Sequence, residues 1–349
     1  MKDRFRSKLR IPGAIILTSS GRVALELALR VLKKSNSARR KVIVPTYCCR
    51  GVFDPVVRVG LLPVFADMDQ NLNISRDSSR QHMSDDVLAI VVPHIGGCKA
   101  DIENIASSAK QHDIAVIEDA CQSLGRESSG RFTGTDYDMS IFSFTLGKNL
   151  MATAGGLLAS NILKDNVCKE ATNLQQEDTS VVRKRFRAIL LRYFFSIQTN
   201  IDDGLISSYQ YNTMHPLDAN LLLLQFGKLD EVVMLRRNNA QRIISSIQKA
   251  NLDVRLPEDK DHIYTKLSLI SRSPEECGKL RSYFNRQRIE IESMYTPLHL
   301  RDFGVSYSRE SLPNSEGTYR NVFNIPVRPN LKSREVDRIV RAIESCTGQ

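Results

Sequence analysis

Between residues 14 and 160 the apolar residues come in short, unbroken runs: KVIVP, LPVFADMD, LAIVVPHI, IAVIEDA, MSIFSF and GGLLAS. A strand with one face in water alternates apolar and polar residues, whereas a run without polar interruption is buried on both faces. Helical segments lie between the runs. In GRVALELALRVLKK, Val23, Leu27 and Leu29–Val31 fall on a helical period; FDPVVRVG is a short helix closed by Gly60; DIENIASSAKQHD is a third. Strands buried on both faces and separated by helices leave few solutions. They predict an α/β fold, a mostly parallel sheet with helices on both sides.

At 349 residues the chain is longer than one ordinary compact domain. Residues 161–205 read as irregular and charged. The stretch 216–251 reads as one long helix or two in series, of the kind that joins two domains. Strands are expected near 263–271 and 323–327, with helices at 274–288 and 333–345. Ser333 is the expected N-cap of the last helix, with Val336 and Ile339–Val340 facing inward. The division predicted is a large α/β domain over 1–235 and a smaller C-terminal α+β domain over 236–349.

Charge and cysteine usage narrow the function. The net charge is +10 and is not gathered in a tail. It suits a solvated basic surface or an anionic small substrate before it suits nucleic acid or a membrane. The basic N-terminus lacks the long apolar core of a signal peptide, and no apolar stretch is long enough to span a bilayer. The seven cysteines show no metal-ligand spacing and read as reduced thiols, so a cytoplasmic protein without a metal is expected. The densest basic cluster, RKRFRAILLRYFF over 183–195, has two readings. One is a packed helix with Ile189, Leu190 and Phe194 on the core. The other is a helix lying on an anionic membrane, with Arg183, Lys184, Arg185 and Arg187 at the head groups and Leu191 and Phe195 in the interface. The packed helix is the expectation.

Two strand ends carry chemistry. IAVIEDA ends in Asp119, and MSIFSF leads directly into Lys148, inside FSFTLGKNLMATAGG. The carboxyl ends of parallel strands line the ligand crevice of such a sheet. Asp119 either caps a following helix or faces a ligand with a positive nitrogen. An acid and an amine in one crevice are what pyridoxal 5′-phosphate requires. The amine holds its aldehyde and the acid keeps its ring nitrogen protonated. Its phosphate needs a helix N-terminus with hydroxyls, and TSSGRVALELAL supplies Ser19, Ser20 and Gly21 immediately before a helix.

The succession SSGRVAL, VIVPTYCCRG, VVPHIGGCKADIENI, VIEDACQSLG, FSFTLGKNL…GG, MYTPLHL and FNIPVRPNLKSREVDRIV resembles the DegT/DnrJ/StrS family of pyridoxal-phosphate sugar aminotransferases, from about residue 13 to 345. The resemblance implies a fold-type-I transferase whose partners are a nucleotide-linked keto sugar, an amino-acid donor such as glutamate and a second copy of the chain, with no nucleic acid. It implies Lys148 as the lysine that holds the cofactor and Asp119 as the partner of the ring nitrogen. It also implies Gln122 at the ring oxygen, Ser143, Ser20 and Gly21 at the phosphate, and Asn212 at a neighbouring subunit's phosphate. Arg22 stands where the family has threonine, Cys49 where it has an aromatic ring over the cofactor, and Ala154 where an acid often precedes the Gly-Gly turn. A dehydratase and a non-catalytic relative that binds a sugar nucleotide or an anionic surface are the alternatives; lysine rather than histidine at 148 favours transamination.

Overall fold

The computed structural model describes residues 2–128, 130–195, 209–304 and 310–346, without the side chains of 190–195. Chain order begins α1 (Lys2–Leu9), β1 (Ala14–Thr18), α2 (Gly21–Ser35), β2 (Lys41–Pro45), α3 (Arg50–Arg58), β3 (Leu62–Ala66) and α4 (Arg76–Gln81). It continues with β4 (Val87–Pro93), α5 (Ile102–Lys110), β5 (Ala115–Asp119), a small hairpin of β6 (Glu127–Ser128) and β7 (Arg131–Phe132), β8 (Met139–Ser143) and β9 (Gly156–Ser160). β1–β5, β8 and β9 form one seven-stranded sheet, ordered β1-β9-β8-β5-β4-β2-β3. Pairs β2–β3, β2–β4, β4–β5 and β5–β8 are parallel, and only β9 runs against both its neighbours. The reversal follows from chain length. A parallel return needs a long crossover; residues 144–155 make a compact loop instead, and this loop carries Lys148.

Both sheet faces are covered, as the unbroken apolar runs require. Val42, Val44, Val91, Ile117 and Ile141 meet α2 and α3 on one side. Ile43, Ile90, Val92 and Val116 meet α5 on the other. Phe142 and Leu157 pack with Phe5 and Leu9 of α1.

Residues 161–205, expected to be irregular, contain α6 (Lys164–Ala171) and α7 (Thr179–Phe195). On α7, Arg183, Lys184 and Arg187 are exposed, but Arg185 turns inward to Glu177 and lies 4.0 Å from Asp218. Arg185 therefore does not join a lipid-facing row. Ile189 is half-buried; the side chains of Leu190, Leu191, Phe194 and Phe195 fall outside those described.

The 216–251 stretch is two helices in series, α8 (Pro216–Gln225) and α9 (Leu229–Lys249), joined by a 3-10 turn at Phe226–Lys228. Leu229 and Val233 of α9 belong to the core of the large sheet, while Ala240, Ile243 and Ile247 belong to a separate apolar cluster. That cluster packs a three-stranded antiparallel sheet, β10 (Val254–Arg255), β11 (Leu267–Ser271) and β12 (Val322–Ile325), with α10 (Pro274–Arg286) and α12 (Ser333–Glu344). A short α11 (Pro313–Thr318) precedes β12. The cap of α12 is one residue earlier than expected. Ser333 is its first helical residue, and the Lys332 N–H donates to Glu335 Oε2 at 2.8 Å.

Candidate active site

β5 and β8 are adjacent and parallel, with Asp119 opposite Ile141, so their carboxyl ends open on one crevice. Asp119 is 8% exposed. Its Oδ1 accepts the Cys121 N–H at 2.9 Å, so it caps a turn rather than a helix. Lys148 is half-buried on the β8–β9 loop. The loop is pinned by backbone bonds from Phe144 to Gly155 (2.9 Å) and from Ala152 to Phe144 (2.7 Å), and by Asn149 Nδ2 donating to Leu124 O at 2.8 Å.

The two Gly residues that close this loop have a steric reason. Ser20 caps α2, its Oγ accepting the Val23 N–H at 3.2 Å. β9 begins directly against that cap: a Cβ on Gly156 would stand 2.2 Å from Ser20 C and 2.4 Å from Gly21 N. Only bare backbone lets strand and helix start meet. Gly21 is equally bare, since a Cβ there would lie 3.0 Å from Ser143 Cβ and 3.1 Å from Cys121 Sγ. Ser20, Gly21 and Ser143 are thus gathered at the N-terminus of a fifteen-residue helix, where N–H groups and dipole favour an anion.

Electrostatics place the remaining residues. Cys49 is exposed at the mouth of the crevice, and protein packed around its sulfur, then the Asp119 carboxylate, push its thiol up, while Lys148 and Arg22 pull it down. Burial and Asp119 push the Cys121 thiol up as well. Asp119, Lys148, Arg22, Cys49 and Cys121 therefore share one electrostatic neighbourhood. Arg22 is engaged within the protein. Its Nη1 is 3.7 Å from Asp54 Oδ2 and its guanidinium lies 4.9 Å from the centre of the Tyr209 ring. Asn212 is buried beside the same chain's phosphate-loop segment: its carbonyl accepts the Ser19 N–H at 2.9 Å, and its Oδ1 has no partner among the described residues.

Gln122 is held on both ends of its amide. Oε1 accepts the Gly96 N–H at 3.0 Å, and Nε2 donates to Tyr295 Oη at 2.9 Å. Tyr295 was not singled out from the sequence. It comes from MYTPLHL, packs edge-on to Tyr47 with ring centres 5.6 Å apart, and feels Cys49, Cys48 and Asp119. Burial raises its phenol well above the ordinary range, so it stays protonated. Tyr295 thus brings an aromatic side chain from the C-terminal segment to the neighbourhood of Cys49 and Asp119. His299 of the same motif is structural, its Nδ1 2.6 Å from Thr46 Oγ1 and its Nε2 3.1 Å from Glu316. The sequence signal for Tyr295 was its place one turn before a segment tied to the end of β2, a relation visible only after folding.

The donor set fits pyridoxal phosphate: a glycine-bare helix start with two serines for the phosphate, a strand-end carboxylate for the ring nitrogen, and a lysine on the adjoining strand's loop. With the mostly parallel sheet and the smaller α+β unit, these features define a fold-type-I pyridoxal-phosphate-dependent enzyme. The profile of the DegT/DnrJ/EryC1/StrS aminotransferase family matches residues 3–344, and the chain belongs to that family. It is similar to the GDP-perosamine synthase of Escherichia coli O157:H7, at 26% identity over 93% of this chain and 83% of that one. The GDP-perosamine synthase of Vibrio cholerae is 25% identical over 98% and 90%. In fold it resembles an aminotransferase from Psychrobacter cryohalolentis, with a TM-score of 0.80 and 23% identity over 98% of this chain and 89% of that one. Among the described residues no helix is long and apolar enough to cross a membrane, and no cluster of metal-ligating side chains occurs.

Proposed function

We propose that this aminotransferase moves an amino group from an amino acid, glutamate being the expected donor, to a keto sugar carried on a nucleotide. The observation that carries the reading is the convergence of Lys148, Asp119 and the Ser20–Gly21 helix start at one crevice of a family member. The GDP-perosamine synthases among its relatives support a nucleotide-sugar substrate. When bound, pyridoxal phosphate supplies an aldehyde that takes up amino groups and a protonated ring that draws electron density from the reacting carbon.

In this reading Lys148 Nζ is the amine that would hold the cofactor's aldehyde. As a free amine, Lys148 Nζ would be the general base that takes and returns the proton of the substrate carbon. Asp119 keeps the ring nitrogen protonated, and its own position is fixed by the Cys121 N–H. Gln122 serves the ring oxygen. Ser20, Gly21 and Ser143 hold the phosphate, with Arg22 contributing positive field while paired to Asp54. Cys49 would be the side chain at the position where the family has an aromatic ring.

A homodimer belongs to the same proposal. Leu217 and Leu224 of α8 are 52% and 79% exposed, and Leu146, two residues before Lys148, is 39% exposed. A second copy covering this apolar edge would close the crevice, and the Asn212 Nδ2, which donates to Gln210 Oε1 at 3.2 Å in the single chain, is the donor its amide would turn to a phosphate. The division at residue 235 is supported by α9 leaving one apolar cluster after Val233 and entering another at Ala240. A cytoplasmic location accords with the free cysteines among the described residues. Lys148→Ala tests the core of the reading. It should abolish the visible absorbance of the bound cofactor and all turnover while the apoprotein stays folded; retained transamination would refute the assignment.

A further inference from the structure

Arg236 of α9 is 3% exposed and has no carboxylate within ion-pair distance among the described residues. Its Nη2 donates to Gly147 O at 3.0 Å and its Nη1 to Thr265 O at 3.2 Å, while Nε is buried without a partner. Arg126 shows the contrast. It is buried to the same depth but forked onto Asp259, at 2.8 and 3.2 Å. The charge that Arg236 does feel is another cation: burial, then Arg328, push it down to about 10, which still leaves it charged at neutral pH. Burying an ion without a counter-charge costs several kcal/mol, on the order of what a whole domain keeps as net stability. Val233 and Ala240, one turn to either side, are buried apolar residues, so an apolar side chain would suit this stripe of α9 better on packing grounds alone.

The two carbonyls it holds lead to both sides of the crevice. Gly147 directly precedes Lys148, lies in the left-handed region at φ +88°, and has open space where a Cβ would be. Its N–H donates to Met151 Sδ at 3.2 Å, and its carbonyl is left to Arg236. On the other side, the Thr265 hydroxyl donates to Gln122 O at 2.6 Å. We infer that Arg236 is a positioning residue for transamination, holding the Lys148 loop in register with the Gln122 loop through Gly147 and Thr265. This rests on the reading of Lys148 as the cofactor-holding amine. A guanidinium is suited to the task, because its planar fork fixes two acceptors relative to each other, which a lysine's single rotatable head does not.

The test compares Arg236→Met, Arg236→Lys and Thr265→Val with wild type. The unfolding midpoint is measured on apoprotein, and the dissociation constant for pyridoxal 5′-phosphate by titration of the folded protein. Arg236→Met should keep the apoprotein midpoint close to wild type, since exchanging a buried charge for an apolar chain is often neutral for stability. Its cofactor dissociation constant should rise at least about tenfold, because small misplacements of reacting groups are costly. Arg236→Lys should fall between the two. Thr265→Val, which removes only the bond to Gln122, should weaken cofactor binding by roughly threefold or more, and it carries the test if Arg236→Met does not fold. Cofactor affinity equal to wild type in the folded variants overturns the inference. Lys148→Ala separates the two failures. If it keeps the visible absorbance, the reading of Lys148 has failed; if it loses it while the Arg236 and Thr265 variants bind normally, only the positioning role has.

Discussion

Gly156→Ala should damage both the fold and the cofactor site. Gly156 opens β9 and is paired on one edge with Thr18 of β1 and on the other with Ser143 of β8. The added Cβ would stand 2.2 Å from Ser20 C, 2.3 Å from Ser20 O and 2.4 Å from Gly21 N. Carbon atoms rest at about 3.5–4.0 Å from non-bonded neighbours, so the backbones must part by more than about 1 Å. Neither side yields easily. β9 is hydrogen-bonded along both edges, and Ser20 begins a helix whose residues from Val23 to Leu29 are buried. Overpacking against movable side chains costs about 1–3 kcal/mol, and with backbone on both sides the upper end, about 3 kcal/mol, is expected. The same shift separates Ser20 and Gly21 from Ser143, so affinity for pyridoxal 5′-phosphate should fall at least tenfold, about 1.4 kcal/mol. Urea unfolding of the apoprotein and a cofactor titration read the two effects. Gly130→Ala is the control: its φ is +77° but nothing lies within 4 Å of the new atom, so only backbone strain of about 1 kcal/mol is added. A Gly156→Ala protein with wild-type midpoint and affinity, or one less destabilised than Gly130→Ala, would refute this steric account.

Asp119→Asn keeps the shape and the bond to the Cys121 N–H but loses the charge; cofactor should still bind while transamination slows at least about a hundredfold, and an unchanged rate would leave Asp119 as a turn cap only. Burial pushes His262 down to about 4 from its ordinary 6.5, so the unfolded chain binds the extra proton between these values. Stability from this group is therefore complete above pH 6.5 and lost as pH falls toward 4, by about 3 kcal/mol in all. Asp69, pushed up to about 6 by burial, acts with the opposite sign in an overlapping window. The readout is thus the difference between wild type and His262→Asn, which should shrink on acidification and would be flat if His262 were not linked. Exchanging Arg183, Lys184 and Arg187 for Gln should not change sedimentation with anionic vesicles, because Arg185 already ties α7 to Glu177; salt-sensitive pelleting that the exchange abolishes would mean a membrane helix.

The sheet was legible because burial on both faces writes itself into consecutive positions. Val87–Pro93 is buried throughout, and its sequence has no polar break. The cap of α12 was misplaced because a serine at 333 outweighed, on propensity, a carboxylate at 335 that reaches back to the Lys332 N–H. Periodicity left 216–251 open between one helix and two in series, since the 3-10 turn at Phe226–Lys228 interrupts the hydrogen bonding without interrupting the apolar spacing. Helix α6 and the first turn of α7 were hidden by charge, whereas the helix over 183–195 was expected. Glu170 and Glu177 are buried there, and what makes that tolerable is pairing with Lys34 and Arg185, which a sequence does not display.

Within the crevice, the residues read from the sequence are those whose chemistry is local. Asp119 ends a strand, Lys148 follows one, and Ser20–Gly21 start a helix, so each is placed by its own element. Residues whose task depends on distant partners escaped. Tyr295 matters because it meets Gln122, and Arg236 because it spans Gly147 and Thr265. Arg22 illustrates the same limit in reverse. From the sequence it is a cation replacing a phosphate hydroxyl, a direct ligand by position. In the fold its guanidinium is drawn toward Asp54 on α3 and stacked on Tyr209, which Arg58 also covers at 4.7 Å. Its charge still reaches the crevice, as the pull on the Cys49 thiol shows, while the ion pair to Asp54 and the ring of Tyr209 draw the guanidinium toward α3 and residue 209. The departure at position 22 thus exchanges a hydroxyl contact for a longer-range field, and Ser20 and Ser143 are left as hydroxyl side chains beside the bare Gly21 backbone.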